Sequence, residues 1–471
     1  MRPFFVSVHG HKEIRQRTHF LKIMYKELSA PLHVQWEITS ACPKRCFYCA
    51  NYWRHDNEKL LTQPAKAAHG KIDLLIDQLI KENVFSVTIT GGEPLLVLEY
   101  YAEKLMRLRS HGITMSLNST LSCLTPKLID HLIELDIKNI LVSVPSYDPK
   151  IDALITNSPT SWQNTADGIK MALAAGLMIE ANMVVCKHNV GHVFATAEYV
   201  KRLGVQAFAA SKMAHPGSIR SMLDLMLTPA DFQIMLSELK RAHDILGIRI
   251  DTVQAYPFCS FMDHSLRNQV PAYQKLCAAA KTFCMIAPNG DIRPCAIASD
   301  AYGNISDSGG LATAWKAMRH WRDDSLIPDN CRVCKHKMSC GGGCRADAKN
   351  AHGLYDSPDP YCDINNIPEI FPQRKQEIEM TGNYRLHPHV RLRAESFGGI
   401  IYVNGAHWCA VDETIYEMFK HKHEVYARND FEAKLNVSPQ EANRTMNHLF
   451  NKGVFVPQRK GGDNNEHQRH N

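Results

Sequence analysis

Apolar residues recur along the first half of the chain with two alternating periods. Short runs rich in β-branched residues precede longer segments in which apolar residues return every three or four positions. Ile72, Leu75, Ile76, Leu79 and Ile80, for example, share one face of a helix. The pattern predicts strands at residues 32–38, 85–90, 113–117, 139–144, 178–185 and 205–210. It predicts helices at residues 72–82, 99–110, 125–135, 160–175, 191–203 and 229–246.

This succession of strand–helix units predicts an α/β fold with a parallel sheet and right-handed crossovers. In parallel barrels the chemistry gathers in the loops that follow the carboxyl ends of the strands. The loops after the first predicted strands are therefore where a functional site is expected.

Three cysteines, Cys42, Cys46 and Cys49, follow the first predicted strand. The stretch reads C-P-K-R-C-F-Y-C, and Tyr48 precedes its last cysteine. Thiolates are soft ligands that suit iron–sulfur clusters and zinc. Three thiolates on a four-iron cluster leave one iron open to a small chelating molecule. A zinc knuckle with a remote fourth ligand, or three unrelated buried cysteines, remains an alternative on spacing alone.

A glycine-rich turn, Gly91-Gly92-Glu93-Pro94, ends the second predicted strand. Glycine lets the backbone approach a ligand closely because it has no Cβ. With the cysteine loop and the βα alternation, this turn resembles the GGEP motif of the radical S-adenosylmethionine (SAM) enzymes. The resemblance implies a partial, open (β/α)6 barrel. It also implies that a [4Fe-4S] cluster on the three cysteines binds SAM and cleaves it reductively to a 5′-deoxyadenosyl radical.

The same resemblance implies where SAM is contacted. Glu93 and the glycine backbone would hydrogen-bond the SAM amine, while residues after the third strand and in the fourth would meet its carboxylate and ribose. The predicted SAM-binding residues are Tyr48, Gly91, Gly92, Glu93, Pro94, Asn118, Ser119 and Ser143. No catalytic base is assigned, because the polar residues near other strand ends are expected to be solvated or structural. These are Tyr147, Glu180, Lys212 and His215.

A second group of eight cysteines runs from Cys277 to Cys362. Gly290 precedes Cys295 by the spacing G-x4-C, and a C-x2-C-x5-C-x3-C run begins at Cys331. This resembles the SPASM extension of radical SAM enzymes. A pair of structural zinc sites with four cysteines each would suit the C-x2-C spacing as well.

The SPASM resemblance implies two auxiliary [4Fe-4S] clusters with four thiolates each, and so three clusters in all. By this resemblance, the ligands of the first auxiliary cluster would be Cys277, Cys284, Cys295 and Cys344. The ligands of the second would be Cys331, Cys334, Cys340 and Cys362. Fully ligated clusters cannot bind SAM but can take an electron from a substrate radical. Four cysteines outside these groups, Cys123, Cys186, Cys259 and Cys409, are expected to be buried small hydrophobes.

The last hundred residues predict a small α+β unit. Strands are expected at residues 390–394, 399–403 and 407–411, and helices at 412–420, 430–435 and 438–452. Ser438, Pro439 and Glu441 form a capping box at the start of the last helix. The unit resembles a winged helix and, in this context, the PqqD-like domain that binds a leader peptide as an added strand. A DNA-binding winged helix is the competing interpretation, although the last helix is not strongly basic.

Composition supports an ordinary globular protein, with 45% hydrophobic and 22% charged residues in 471. The net charge of +6 fits an acidic or peptide partner. It is lower than the charge that is usual for nucleic-acid-binding proteins. Neither a signal peptide nor an apolar run of about 18 residues is visible, so we expect a cytoplasmic protein without a membrane partner. In a reducing compartment, 15 cysteines favour metal sites over disulfides.

The predicted organisation is a radical SAM partial barrel at 1–255, a SPASM domain at 256–365, a linker at 366–383, a PqqD-like winged-helix domain at 384–457 and a disordered tail at 458–471. The predicted activity is oxidative modification of a ribosomally made precursor peptide, with a thioether or carbon–carbon cross-link favoured. The leader would bind the PqqD-like domain, and an external flavodoxin or ferredoxin would supply electrons.

Three alternatives accompany this prediction. A protein side-chain oxidase like the anaerobic sulfatase-maturating enzymes would carry an aspartate after the cysteine that matches Cys295, but this chain has Ala296. A small-molecule cofactor enzyme would use the C-terminal unit only as structure. An iron–sulfur winged-helix regulator would bind DNA and would need no SAM pocket.

Overall fold

The computed structural model describes residues 28–49, 69–217, 219–262, 266, 270, 275–367, 377–404, 407–421 and 425–458. The chain divides into two compact units, whose described parts run from 28 to 367 and from 377 to 458. The amino-terminal segment, half of the predicted linker and nearly all of the predicted tail lie outside the described residues.

The first unit contains the predicted strand–helix alternation. Its elements up to residue 251 are, in chain order, β1 (His33–Thr39), α1 (His69–Lys81), β2 (Ser86–Gly91), α2 (Leu98–Ser110), β3 (Thr114–Ser119), α3 (Pro126–Glu134), β4 (Asn139–Ser143), α4 (Pro149–Thr156), α5 (Ser161–Ala174), β5 (Met178–Val185), α6 (Val193–Arg202), β6 (Ala207–Lys212), α7 (Arg220–Leu223), α8 (Pro229–Leu246) and β7 (Arg249–Asp251). All six predicted strands and all six predicted helices are confirmed, with boundaries shifted by a few residues. The short elements α4, α7 and β7 were not predicted.

Strands β1 to β7 pair in parallel, each with its neighbour in the chain. The sheet is covered on both faces, and every residue of β6 is buried, which explains the near-continuous apolar runs. The predicted face of α1 is buried through Ile72, Leu75, Ile76 and Leu79. This confirms the α/β fold and brings the strand-end loops to one edge of the sheet.

The cysteine-rich region continues the same sheet beyond β1. β8 (Phe283–Ile286) pairs in parallel with β1, and β9 (Ile292–Arg293) pairs antiparallel with β8. The buried Arg293 donates to the Glu37 carboxylate of β1 at 2.8 Å. The predicted domains 1–255 and 256–365 therefore share one compact unit, and the boundary between them stays a prediction.

Beyond the hairpin, the cysteine-rich region is built from short helices joined by loops. These are α9 (Gly310–Ala317), α10 (Asp329–Arg332), α11 (Lys337–Cys340) and α12 (Arg345–His352). The buried Arg322 holds the loops together, because its guanidinium donates to the carbonyls of Ala280 at 3.0 Å and Trp315 at 2.8 Å. No helix within the described ranges is long and apolar enough to cross a membrane.

The second unit has the predicted order of three strands followed by three helices. Its elements are β10 (Tyr384–Leu386), β11 (Arg391–Glu395), β12 (Gly398–Asn404), β13 (His407–Val411), α13 (Glu413–Lys420), α14 (Arg428–Leu435), α15 (Pro439–Asn451) and β14 (Phe455–Pro457). β11, β12 and β13 form an antiparallel sheet. The pair of β10 with β14 was not predicted, and it places Pro457 opposite Tyr384. The likeness to PqqD stays a prediction.

We predict that Ser438→Ala weakens the start of α15. The Ser438 hydroxyl accepts from the Glu441 amide at 3.3 Å, and the Glu441 carboxylate accepts from the Ser438 amide at 3.2 Å. Losing such a cap costs about 1 kcal/mol, so amides of the first turn should exchange about fivefold faster in hydrogen-exchange mass spectrometry. Gln440→Ala, an exposed change in the same turn, is the control. Equal exchange in both variants would contradict the capping assignment.

Candidate active site

The loop that carries Cys42, Cys46 and Cys49 begins directly after β1, at the carboxyl edge of the sheet. Cys42 is buried, while Cys46 and Cys49 are half-buried. The loop is fixed from α4, because the Arg45 amide donates to the Thr156 carbonyl at 2.9 Å and the Phe47 amide to the Ile155 carbonyl at 3.3 Å. The three predicted cluster cysteines therefore share one loop, which backbone hydrogen bonds tie to α4.

The Gly91-Gly92-Glu93-Pro94 turn packs directly on this loop. The Gly92 amide donates to the Thr39 carbonyl, and the Glu93 amide donates to the Ala41 carbonyl, both at 2.7 Å. A Cβ on Gly92 would lie 2.0 Å from the Ala41 carbonyl oxygen, and one on Gly91 would lie 2.3 Å from that of Thr39. Only glycine permits such an approach, so these glycines bring the ends of β1 and β2 together.

The Glu93 side chain is 0% exposed and connects β2 to the end of β3. One carboxylate oxygen accepts from the Ser119 hydroxyl at 2.6 Å and the Leu95 amide at 3.2 Å. The other accepts from the amide and hydroxyl of Thr120, at 2.8 Å and 2.6 Å. A carboxylate offers about four acceptor positions, so donors of this chain already occupy them. A contact between Glu93 and the SAM amine stays a prediction, and sequence reasoning missed this connecting role.

The other predicted SAM contacts lie along the same edge of the sheet. Asn118, half-buried, and Ser119, buried, end β3, and Ser143, exposed, ends β4. The Ser119 hydroxyl also accepts from the Leu121 amide at 2.9 Å. Tyr48 packs edge-on against Phe47 with ring centroids 5.2 Å apart, and burial raises its phenol pKa well above the usual range. The structure brings these residues to one edge, and their contacts with SAM stay predictions.

A buried ion pair joins the barrel to the cysteine-rich region. Lys212, the last residue of β6, is 1% exposed and donates to Asp347 of α12, which is 0% exposed. Burial opposes the charge on Lys212, but the carboxylates of Asp347 and Asp359 outweigh it and raise its pKa. Asp347 also accepts from the His215 amide at 2.9 Å. Lys212 was expected to be solvated or structural, and this buried pairing agrees with the structural role.

The first predicted auxiliary set lies partly around this pair. The Cys344 amide donates to Asp359 at 2.7 Å, and the Cys344 sulfur accepts from the Asp347 amide at 3.4 Å. Burial raises the thiol pKa of Cys295 to about 11, and the neighbouring Cys277 adds to the shift. Cys284 lies within β8, where burial raises its pKa against the opposing charge of Arg322. The assignment of these four cysteines to one cluster stays a prediction.

The second predicted auxiliary set lines one cavity. Cys331, Cys334, Cys340 and Cys362 all contribute to its wall, together with Cys259. A hydrogen bond with Cys362 lowers the thiol pKa of Cys331 to about 7. The donor set consists of thiols in a partly buried hollow, which suits an iron–sulfur cluster.

Cys259 corrects one expectation from the sequence. It was expected to be a solitary buried cysteine, but its sulfur lies 3.3 Å from that of Cys362. The spacing motif could not reveal this, because Cys259 precedes the motif by a long stretch of chain. Cys186 and Cys409 are buried as expected, and Cys123 is half-buried.

Comparison with known proteins agrees with the fold. Residues 36–200 match the model of the Radical SAM superfamily. The AdoMet-dependent heme synthase of Methanosarcina barkeri is 24% identical over 71% of this chain and 97% of its own. The mycofactocin maturase MftC of Mycobacterium tuberculosis is 25% identical over 71% of this chain and 83% of its own. The crystal structure of Streptococcus suis SuiB bound to its precursor peptide SuiA superposes with a TM-score of 0.53 at 16% identity, covering 72% of this chain and 77% of that one.

The match and the fold together define a radical SAM domain within this chain. Residues 36–200 form this domain, and they contain both the cysteine loop and the GGEP turn. Members of this superfamily use SAM and a [4Fe-4S] cluster. The three cysteines after β1 fit that cluster because they supply three thiols on one anchored loop.

We predict that Glu93→Gln weakens the hydrogen bonds that connect the end of β2 to the end of β3. A glutamine can no longer accept from all four donors, and an unsatisfied buried donor costs about 1–3 kcal/mol. The melting temperature should fall, and amides of residues 114–121 should exchange faster. Glu99→Gln, which alters an exposed pair with Lys127, should do neither. A Glu93→Gln protein that matches this control would show that the four hydrogen bonds contribute nothing.

We predict that Lys212→Met destabilises the first unit by about 3–5 kcal/mol, because it leaves the Asp347 carboxylate buried without its cation. Adding Asp347→Asn removes the stranded charge and keeps an acceptor for the His215 amide, so the double variant should recover part of the loss. Calorimetric melting under anaerobic conditions measures both. Lys240→Met, in a more exposed pair with Asp244, is the control. A double variant no more stable than the single one would count against the ion pair.

Proposed function

We propose that the protein oxidatively modifies a ribosomally made precursor peptide, with a thioether or carbon–carbon cross-link as the product. The observation that carries this proposal is the combination of a radical SAM domain with the thiol-lined cavity of the same compact unit. The likeness to MftC, and to SuiB bound to SuiA, supports a peptide as the substrate.

Cys42, Cys46 and Cys49 would hold the SAM-cleaving cluster. When bound, that cluster supplies the electron that cleaves SAM and so generates the radical that abstracts hydrogen from the peptide. The chain's own part is positional: Gly92 and Glu93 anchor the cysteine loop to β2. The predicted contacts of Asn118, Ser119 and Ser143 would orient SAM from the adjacent strand ends.

The cysteine-rich region favours an oxidative outcome. Cys277, Cys284, Cys295 and Cys344 would hold one auxiliary cluster, and Cys331, Cys334, Cys340 and Cys362 the other. Such sites provide a path by which an electron can leave the substrate. The sheet runs without a break from β1 into β8, so this region is built onto the barrel. An external flavodoxin or ferredoxin would supply the electrons that SAM cleavage requires.

The second unit, which we propose to be PqqD-like, would recognise the leader of the peptide. Its antiparallel sheet of β11, β12 and β13 is the kind of structure to which an extended peptide adds as a further strand. Tethering the leader would raise the effective concentration of the core peptide at the barrel.

A small-molecule substrate is the second candidate. The heme synthase, whose length is covered to 97%, resembles this chain as closely as the peptide maturases do. In that case the second unit would be structural, and a leader would have no effect on turnover.

We predict that the anaerobically reconstituted protein, given SAM, a strong reductant and the short peptide encoded beside its gene, forms deoxyadenosine in step with loss of hydrogen from the peptide. Mass spectrometry reads both products. Cys49→Ala should abolish both, because two thiols cannot hold the cluster, whereas the control Cys409→Ala should preserve them. A peptide without its leader should be modified far more slowly.

Other outcomes would redirect the proposal. Deoxyadenosine without any change in the peptide would reject this substrate and favour a small molecule. Equal rates with and without the leader would reject leader recognition. A protein that carries its irons and binds DNA but forms no deoxyadenosine would favour the DNA-binding regulator.

A further inference from the structure

The cavity of the second auxiliary set contains one more cysteine than a four-iron cluster uses. Five thiols line it, those of Cys259, Cys331, Cys334, Cys340 and Cys362. A fully ligated four-iron cluster takes four cysteines. Cys259 belongs to a short 3-10 turn, Phe258–Ser260, that lies far from the other four in the sequence.

The backbone holds Cys259 in this position. The Asn366 side-chain amide donates to the carbonyls of Cys259 and Phe261, both at 3.0 Å. Asn366 follows Cys362 closely in the chain, so the two segments that carry the neighbouring sulfurs are tied together. On the other side, the Phe258 amide donates to the Cys340 sulfur at 3.4 Å. The approach of Cys259 to this thiol set therefore follows from the fold on both sides of its turn.

The distance between the two sulfurs defines their relation. The sulfurs lie 3.3 Å apart, which is well beyond the length of a disulfide bond, about 2.05 Å. They are close enough to serve the same metal ion, since two tetrahedral thiolates on one metal with bonds of about 2.3 Å lie about 3.7 Å apart. Cys259 and Cys362 are thus placed to compete for one iron.

We propose that Cys259 and Cys362 are alternative ligands of a single iron in the cluster of this cavity, while Cys331, Cys334 and Cys340 hold the other three. This inference rests on the proposed function of the cavity as an iron–sulfur site. In the exchange, one iron–sulfur bond breaks and another forms, and the incoming thiol passes its proton to the departing thiolate. No electron is transferred, and the cluster remains fully ligated.

The unbound thiol would then be a hydrogen-bond donor to the bound sulfur. Hydrogen bonds to ligand sulfurs help to set cluster potentials, and a donor stabilises the extra negative charge of the reduced state. Cys259→Ala should therefore leave the cluster in place and lower its reduction potential.

The test uses a full-length background in which Cys42, Cys46 and Cys49 are replaced by Ala, so that about eight irons per chain remain in two auxiliary clusters. In this background Cys259→Ala and Cys362→Ala should each retain about eight irons. The double variant and Cys334→Ala each leave one iron without a thiolate, so each should lose that iron and fall to about seven irons per chain. Iron analysis and the electron paramagnetic resonance of the reduced protein report the clusters independently of activity. Cys409→Ala controls for the loss of a buried cysteine.

Each outcome is informative. If Cys362→Ala alone loses as much iron as the double variant, Cys259 is not a ligand and the proposal fails. If Cys334→Ala loses no iron, the cavity holds no cluster, and the proposed function of this site fails instead. Alkylation of the folded, iron-loaded protein without substitutions at Cys259 or Cys362 gives a test that does not depend on how the variants fold. In this protein both Cys259 and Cys362 should be labelled in part. Labelling of Cys259 alone, with Cys362 always protected, would overturn the exchange.

Discussion

The contact between the GGEP turn and the cysteine loop is the constraint on which the site depends. Gly92 and Glu93 donate their amides to carbonyls of the residues that lead from β1 into the loop. The space between the two backbones has no room for a Cβ. The buried Glu93 carboxylate then binds the end of β3 to the same point. The ends of β1, β2 and β3 are thus held together, and the start of the cysteine loop is fixed at Ala41, directly before Cys42.

The cysteine-rich region is attached to the barrel by two different kinds of interaction. β8 extends the sheet from β1 by backbone hydrogen bonds, and the buried pair of Lys212 and Asp347 joins β6 to α12. A buried ion pair contributes modestly to stability but tolerates few geometries, because each charge must meet its partner. Asp347 follows Cys344 within one helical turn, so the pair also limits where Cys344 can lie relative to the barrel.

Much of the fold could be predicted because its signals are local. The periodicity of α1 and the apolar runs of β1 to β6 depend only on neighbouring residues, and their positions were predicted within a few residues. The short strands β8, β10 and β14 were not predicted, because segments of three or four residues are too short to show a recognisable hydrophobic period. Their pairing is decided by partners elsewhere in the chain.

By itself, the sequence determined the order of strands and helices, the thiol spacings and the GGEP turn, because each depends on a few consecutive residues. Only the tertiary structure decided that Glu93 is enclosed by Ser119 and Thr120, that Lys212 meets Asp347, and that Cys259 reaches Cys362. These contacts join residues from separate segments, and no local pattern records them. They arise because packing a common core brings distant segments together, and a buried polar group must then find its partner where the fold has placed one.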